Sequence, residues 1–238
     1  MAKKITQMEH KGDLLETQQA YVKRLNSTLT RIDTPFDRPH KLLYRGQSHI
    51  LVGLCIGLEK PATIAVWDAN ANGVLAQYGV QQLLGENYRL LNRRRSEQQK
   101  TAHQRHKAQK RSASNQFGES ELGQYVDRLL AKAIVAIAKT YNAGSIAVPK
   151  LGNVREIVEA EIKAKAEEKC PGYLEGQQKY AKQYRASMHR WSYGRLIDSI
   201  RSQATKLGIA IEESKQPLAG KFEEKARDVA IAAYQARI

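Results

Sequence analysis

The spacing of apolar positions divides the chain into blocks of different period. From Lys4 to Ile32 the apolar residues Ile5, Met8, Leu14, Leu15, Tyr21, Val22, Leu25 and Leu29 punctuate a polar segment. That pattern predicts helix, with an apolar face too sparse to fold alone. Thr34-Pro-Phe-Asp-Arg-Pro-His40 follows, and its two prolines forbid a continuing helix. Residues 1–45 therefore read as a helical segment and linker, and 46–238 as the main domain. Three strand signals come next, Ile50–Leu58, Ala62–Trp67 and Val74–Val80. Asn72-Gly73 predicts a type I′ turn between the last two, because that turn needs positive φ at both centre residues. Only Glu59-Lys60-Pro61 links the first two, so all three form an antiparallel meander.

Past Gln81 the period becomes helical. Leu83, Leu84, Tyr88, Leu90 and Leu91 open a long helix predicted over 82–111, ended by Ser112-Ala-Ser-Asn-Gln-Phe-Gly118. Leu122, Tyr125, Val126, Leu129, Leu130, Ala133, Ile134 and Ile137 recur at three and four residue steps and define a second helix, with Gly144 as its C-terminal stop. Ser145–Pro149 is a short apolar strand reached by that helical crossover, hence an interior strand. A charged helix from Val154 to about Lys169 stops at Pro171-Gly172. A basic, aromatic segment, 177–207, runs as helix to Gly208; Ile209–Glu212 is a fifth strand, and Phe222–Arg237 closes the chain. Three meandering strands, helices, a strand, helices, a strand and a helix is the order of an α/β, RNase H-like domain, a five-stranded mixed sheet flanked by helices.

Composition changes this picture at one point, its charge. The 238 residues are 42% hydrophobic and 26% charged, ordinary for a globular protein. No run approaches the roughly 18 apolar residues of a membrane span, and Met1-Ala-Lys-Lys-Ile has no signal-peptide core behind it; a cytoplasmic protein without membrane contact is expected. Against 24 Asp plus Glu stand 39 Lys plus Arg, a formal +15, which calls for a polyanionic partner. Between Arg89 and Arg111 lie nine of those cations and one acid, Glu97. A surface helix ordinarily mixes signs, so Arg93, Arg94, Arg95, Lys100, Arg105, Lys107, Lys110 and Arg111 are candidates for nucleic-acid phosphates. Lys179, Lys182, Arg185, Arg190 and Arg195 form a second basic set interleaved with Tyr180, Tyr184, Trp191 and Tyr193. Trp191 is a candidate for stacking on bases; it and Tyr193 fit a packed core equally well.

Nothing points to a cofactor. Cys55 and Cys170 show no C-x-x-C spacing, so neither a disulfide framework nor a zinc ribbon is encoded. His103 and His106 share a helix face with cations, which reads as solvated basic surface. No G-x-x-x-x-G-K-[ST] stretch exists to cradle a nucleotide.

Three stretches resemble the RuvC-type nuclease domain of type V CRISPR effectors and their TnpB-like transposon relatives. Gln47–Pro61 looks like the first motif, an apolar strand ending in G-x-D-x-G; Ser145–Leu151 looks like the second, a strand with a Glu before its end; Arg227–Tyr234 looks like the third, an Asp opening the last helix ahead of two alanines. From residue 5 to the end the chain resembles the C-terminal portion of the type V-K effectors of CRISPR-associated transposons. Gly46–Gly53, Asn115–Gly118, Gly176–Arg185 and His189–Leu196 carry that likeness. The resemblance implies guide RNA and target DNA as partners. It further implies assembly with an AAA+ transposition regulator, a TniQ-type protein and a small ribosomal protein. Recognition lobes and a PAM-reading region lie upstream of the corresponding portion in such effectors.

The departures from the nuclease motifs matter most. Two-metal phosphodiester cleavage needs converging carboxylates. The first position here is Cys55, a soft thiol; the second is Pro149, without a side-chain ligand; the third offers Asp228, although counting back from Ala232-Ala233 without a gap places Val229 there. The nine residues Glu213–Lys221 leave no room for the zinc-bearing insertion of related nucleases. The expected function is thus RNA-guided DNA binding without cleavage. The alternatives are a divergent metal-dependent nuclease using Asp228, Glu59 and Asp68, and a protein-docking adaptor for transposition proteins.

Overall fold

A computed structural model describes residues 2–10, 12, 14–33, 44–97, 121–187 and 193–237. The chain divides into two units, Met1–Leu42 and Leu43–Ile238. In the first, helices α1 (Ala2–Glu9) and α2 (Glu16–Asp33) flank Gly12, whose φ of 77° is open to glycine and breaks the single helix that the sequence predicts. Ile5 and Val22 are buried.

The second unit is built on a five-stranded sheet in the order β3-β2-β1-β4-β5. Its strands are β1 (Gln47–Cys55), β2 (Thr63–Asp68), β3 (Gly73–Tyr78), β4 (Ala143–Pro149) and β5 (Ala210–Ser214). β1, β2 and β3 are antiparallel in sequence order, whereas β4 runs parallel to β1 and β5 parallel to β4. Five strands in this order and these directions, with helices between, make the RNase H-like fold.

The meander is as predicted but its turn is not. Asp68 pairs with Gly73, leaving four residues in the connection, and Asn72 alone takes a left-handed φ, 46°. Asp68 Oδ1 accepts the Asn70 and Ala71 amides, so an aspartate-closed loop replaces the type I′ turn.

Helices follow the alternation of β1. Ile50, Val52, Leu54 and Ile56 face a core with α5 (Glu121–Thr140) and α8 (Tyr193–Leu207), where Leu130, Ile134, Leu196, Ile197 and Ile200 are fully buried. Leu51 and Cys55 face the other side, where α9 (Phe222–Gln235) lies across the sheet through Ala226, Val229, Ala230 and Ala233. A Cβ on Gly53 would stand 1.9 Å from the Ala226 carbonyl oxygen and 2.9 Å from the Ala230 nitrogen, so only glycine lets α9 cross β1 this closely. Period-2 strand and helical stripe thus lock α9 over the C-terminal end of β1.

Two further predicted boundaries change. The basic stretch does not begin as one helix: α3 (Val80–Leu84) ends at Gly85, φ 50°, a 3-10 turn follows, and helix α4 resumes over 88–97. Residues 98–111 lie outside the described residues. α5 stops at Thr140 by way of Asn142, φ 56°, not at Gly144. Gly144 instead sits inside β4, where a Cβ would approach the Gln47 oxygen to 2.7 Å. The remaining helices, α6 (Val154–Lys169) and α7 (Leu174–Ser187), pack as a hairpin through Cys170-Pro171-Gly172. Among the described residues, no helix is long and apolar enough to cross a membrane.

Candidate functional site

The first two motif positions lie where parallel β1 and β4 end, with Cys55 beneath the first turns of α9. Cys55, the last residue of β1, is fully buried, and its thiol is pushed up to about 12 by burial, so it is protonated and neutral. Pro149, the last residue of β4, is buried beside Ser214. Ser214 donates its hydroxyl to the Val229 carbonyl at 2.8 Å, which ties the end of β5 to α9. Beyond these strand ends the side-chain amide of Gln216, 1% exposed, pairs with Ile56 twice. Its Oε1 accepts the Ile56 amide at 2.9 Å and its Nε2 donates to the Ile56 oxygen at 2.8 Å. A neutral glutamine therefore continues the ladder past the end of β1.

Cations occupy the same end of the sheet. Lys225, only 9% exposed, donates to the Leu218 carbonyl at 2.8 Å, with its ammonium 5.6 Å from the Phe222 ring centroid. Phe222 packs with Cys55, Ala65 and Ala226. Lys60 approaches the same ring to 5.4 Å and pairs with Glu223 at 2.9 Å, which holds that carboxyl below the usual range. Glu161 on α6 is turned to the backbone, accepting the Leu58 amide at 2.7 Å and the Glu59 amide at 3.0 Å.

Neither register of the third motif brings a carboxylate here. Val229 is fully buried against Leu51, Trp67 and Ala147. Asp228 points off the packed face of α9 and accepts both Nε and Nη2 of Arg227, at 2.9 and 2.8 Å. Glu59 pairs with Lys165 at 3.2 Å, and Asp68 closes its loop. The three acids of the nuclease alternative are thus engaged separately. RNase H-type centres hold divalent cations through hard anionic oxygens, and the residues at these strand ends do not fit that group. They offer a neutral thiol, a proline and the fully buried Thr63 hydroxyl opposite Cys55, which has no hydrogen-bond partner. Among the described residues, no three His, Cys, Asp or Glu side chains are grouped to hold a metal ion.

The basic candidates separate into exposed and engaged cations. Arg94 is a correction: it is 2% exposed and donates to Asp127 Oδ1 at 3.2 Å and to the Gly123 carbonyl at 3.3 Å. Burial holds its guanidinium below its ordinary pKa, with the Asp127 carboxylate opposing that. Arg195 is the second correction, since its Nε donates to the other Asp127 oxygen at 2.6 Å. Both are structural because α4, α5 and α8 meet there and a buried charge demands a partner. Arg95 donates to the Glu59 carbonyl at 2.6 Å, and Arg93 is exposed beside Glu97 at 3.0 Å. On α7, Lys179, Lys182 and Arg185 are exposed at three-residue steps, and Tyr180 stacks on Tyr184 with centroids 5.8 Å apart. Tyr193 belongs to the core. Lys100, Arg105, Lys107, Lys110, Arg111, Arg190 and Trp191 lie outside the described residues.

Sequence reasoning missed Lys225, Gln216 and Asp127. Asp127 carried a signal, an acid at the i, i+3, i+7 spacing of the buried Leu130 and Ile134. Lys225 lay three residues before a motif aspartate, while Gln216 had no signal in its loop.

No protein-family model matches the chain, and no curated protein matches it. Among solved structures it is similar to a chain of the "Cryo-EM structure of the Cas12f1-sgRNA-target DNA complex", at 14% identity and a TM-score of 0.37. The similarity covers 85% of this chain and 44% of that one, so the chain spans less than half of that neighbour's length. The fold class rests on the strand order and registers above, not on this likeness.

Proposed function

We propose that this chain is a RuvC-like domain that binds nucleic acid without cutting it. In this reading it contributes guide RNA and target DNA contacts to a CRISPR-associated transposon, as its resemblance to type V-K effectors implies. The observation that carries the reading is the inverted chemistry at the strand ends. Two divalent cations about 4 Å apart need anionic oxygens on both sides of a phosphate. The corresponding positions here are a neutral thiol and a proline, with an ammonium alongside. Removing those carboxylates also removes the negative charge that would repel a phosphate backbone. The formal +15 of the chain and the exposure of Lys179, Lys182 and Arg185 on α7 support this reading, since exposed cations are available to phosphates.

Labelled single- and double-stranded DNA, incubated with the purified chain in Mg²⁺ or Mn²⁺, tests the reading. Binding that weakens with salt, without new cleavage products, is expected. Metal-dependent cleavage abolished by Asp228→Ala would establish the nuclease alternative instead. RNA binding no stronger than that of a charge-matched control protein would turn the assignment toward an adaptor for transposition proteins.

A further inference from the structure

The disagreement between these strand ends and a divalent-metal centre has a positive counterpart. We infer that Lys225 supplies, as a tethered ammonium, the charge that metal ions supply to an RNase H-type centre, and that this ammonium bars a divalent cation from the ends of β1 and β4. The inference rests on the non-cleaving reading of the same site and assigns the residue that enforces it.

Charge accounting around Cys55 singles out Lys225. Lys225 and Lys60 both approach the Phe222 ring that packs with Cys55, and Glu223 and Glu161 reach the adjoining Lys60 and Leu58. Glu223 is neutralised by Lys60 at 2.9 Å, and Glu161 is spent on two backbone amides. Lys225 makes its hydrogen bond to the neutral Leu218 carbonyl and has a ring, not a carboxylate, beside it. A buried ammonium without a carboxylate partner is costly. It is tolerated where the fold supplies a carbonyl dipole and an aromatic face, here the Leu218 oxygen and the Phe222 ring. Gln216 complements it by satisfying both backbone groups of Ile56 without adding charge. An incoming dication would meet an uncompensated positive charge in a poorly screened setting, where repulsion is strong. Restoring carboxylates at the motif positions alone should therefore not restore metal binding, since the ammonium would pair with them first.

The test compares the C55D/P149E variant of this chain with C55D/P149E/K225M, measuring Mn²⁺ uptake by electron paramagnetic resonance and thermal midpoint with and without Mn²⁺. The variant retaining Lys225 should show no uptake and no shift. Replacing Lys225 should bring Mn²⁺ affinity at least about tenfold tighter and a midpoint that rises with Mn²⁺. Equal Mn²⁺ binding by both variants, or none by either, would overturn the proposal. Should circular dichroism show that these variants do not fold, single-site comparisons replace them. C55D should be less destabilising than C55N while Lys225 is present, and the order should reverse in a K225M background; an unchanged order also overturns it. Cleavage by the unsubstituted chain would sink the non-cleaving reading, whereas these metal measurements need no nucleic acid and judge Lys225 alone.

Discussion

Arg94 and Lys182 both belong to basic stretches, yet the fold uses them in opposite ways. Arg94 lies between Arg93 and Arg95 in a triplet, but it is buried against Asp127, which also takes Arg195. Lys182 stands on α7 in an exposed row with Lys179 and Arg185. The triplet is thus divided by helix geometry. Successive residues are about 100° apart, so a run of three cannot share a face, whereas residues three apart can. A run of cations on α4 therefore had to give one member to the interior, and α5 supplies an aspartate to receive it. Charge density in sequence measures attraction to a polyanion only after such internal commitments are subtracted.

The largest effect should come from breaking the internal commitment. Asp127→Asn removes the carboxylate that serves two guanidinium groups, and removing one partner from a buried pair costs about 3 to 5 kcal/mol. Chemical denaturation should show that loss as a lower midpoint. Arg94→Met, which replaces the guanidinium by an apolar chain, should cost less than Asp127→Asn, because it leaves Arg195 to neutralise the acid. Among molecules that remain folded, Arg94→Met should leave the salt dependence of nucleic-acid binding unchanged. A change in that slope would mean that Arg94 meets phosphate after all.

The fold was more legible than the site. Strands and helices came from periods of 2 and 3.6, which report burial face, and burial face decides the sheet. Hence β1, with its apolar run, and α5, with its regular stripe, were readable. What the sequence hid were decisions made by partners distant in the chain. Gln216 bonds Ile56 across 160 positions, and Arg94 meets Asp127 across 33. Gly144 looked like a helix stop because glycine favours that place. Its use is close approach to β1, which becomes visible only when the strands are side by side. That Cys55 and Pro149 offer no carboxylate was readable in the sequence; the groups packed around them, Lys225 and Gln216 among them, were not.

A middle-sized effect is expected on α7. Reversing Lys179, Lys182 and Arg185 together to Glu should leave the thermal midpoint nearly unchanged, since all three are exposed and surface substitutions stay within about 0.5 kcal/mol each. It should lower the slope of log affinity against log salt by about 2 to 3, because each of the three cations can neutralise one phosphate. Normal binding at low salt would remove α7 from the interface and shift the weight to the remaining basic stretch.

The smallest effect belongs to Arg93→Glu, and it sharpens the comparison because Arg93 is the exposed neighbour of the buried Arg94. Its side chain is 71% exposed and its ion pair with Glu97 is an i, i+4 surface pair, worth a few tenths of a kcal/mol. Stability should therefore scarcely move, although like charges at positions 93 and 97 would then repel slightly. A salt slope lower by about 1 would give Arg93 one phosphate contact. An unchanged slope would show that Glu97 has claimed Arg93 as Asp127 claims Arg94, leaving Arg89 as the exposed cation of α4. The contrast would then lie between two whole helices, with α4 spending Arg93, Arg94 and Arg95 on the protein and α7 offering its cations outward.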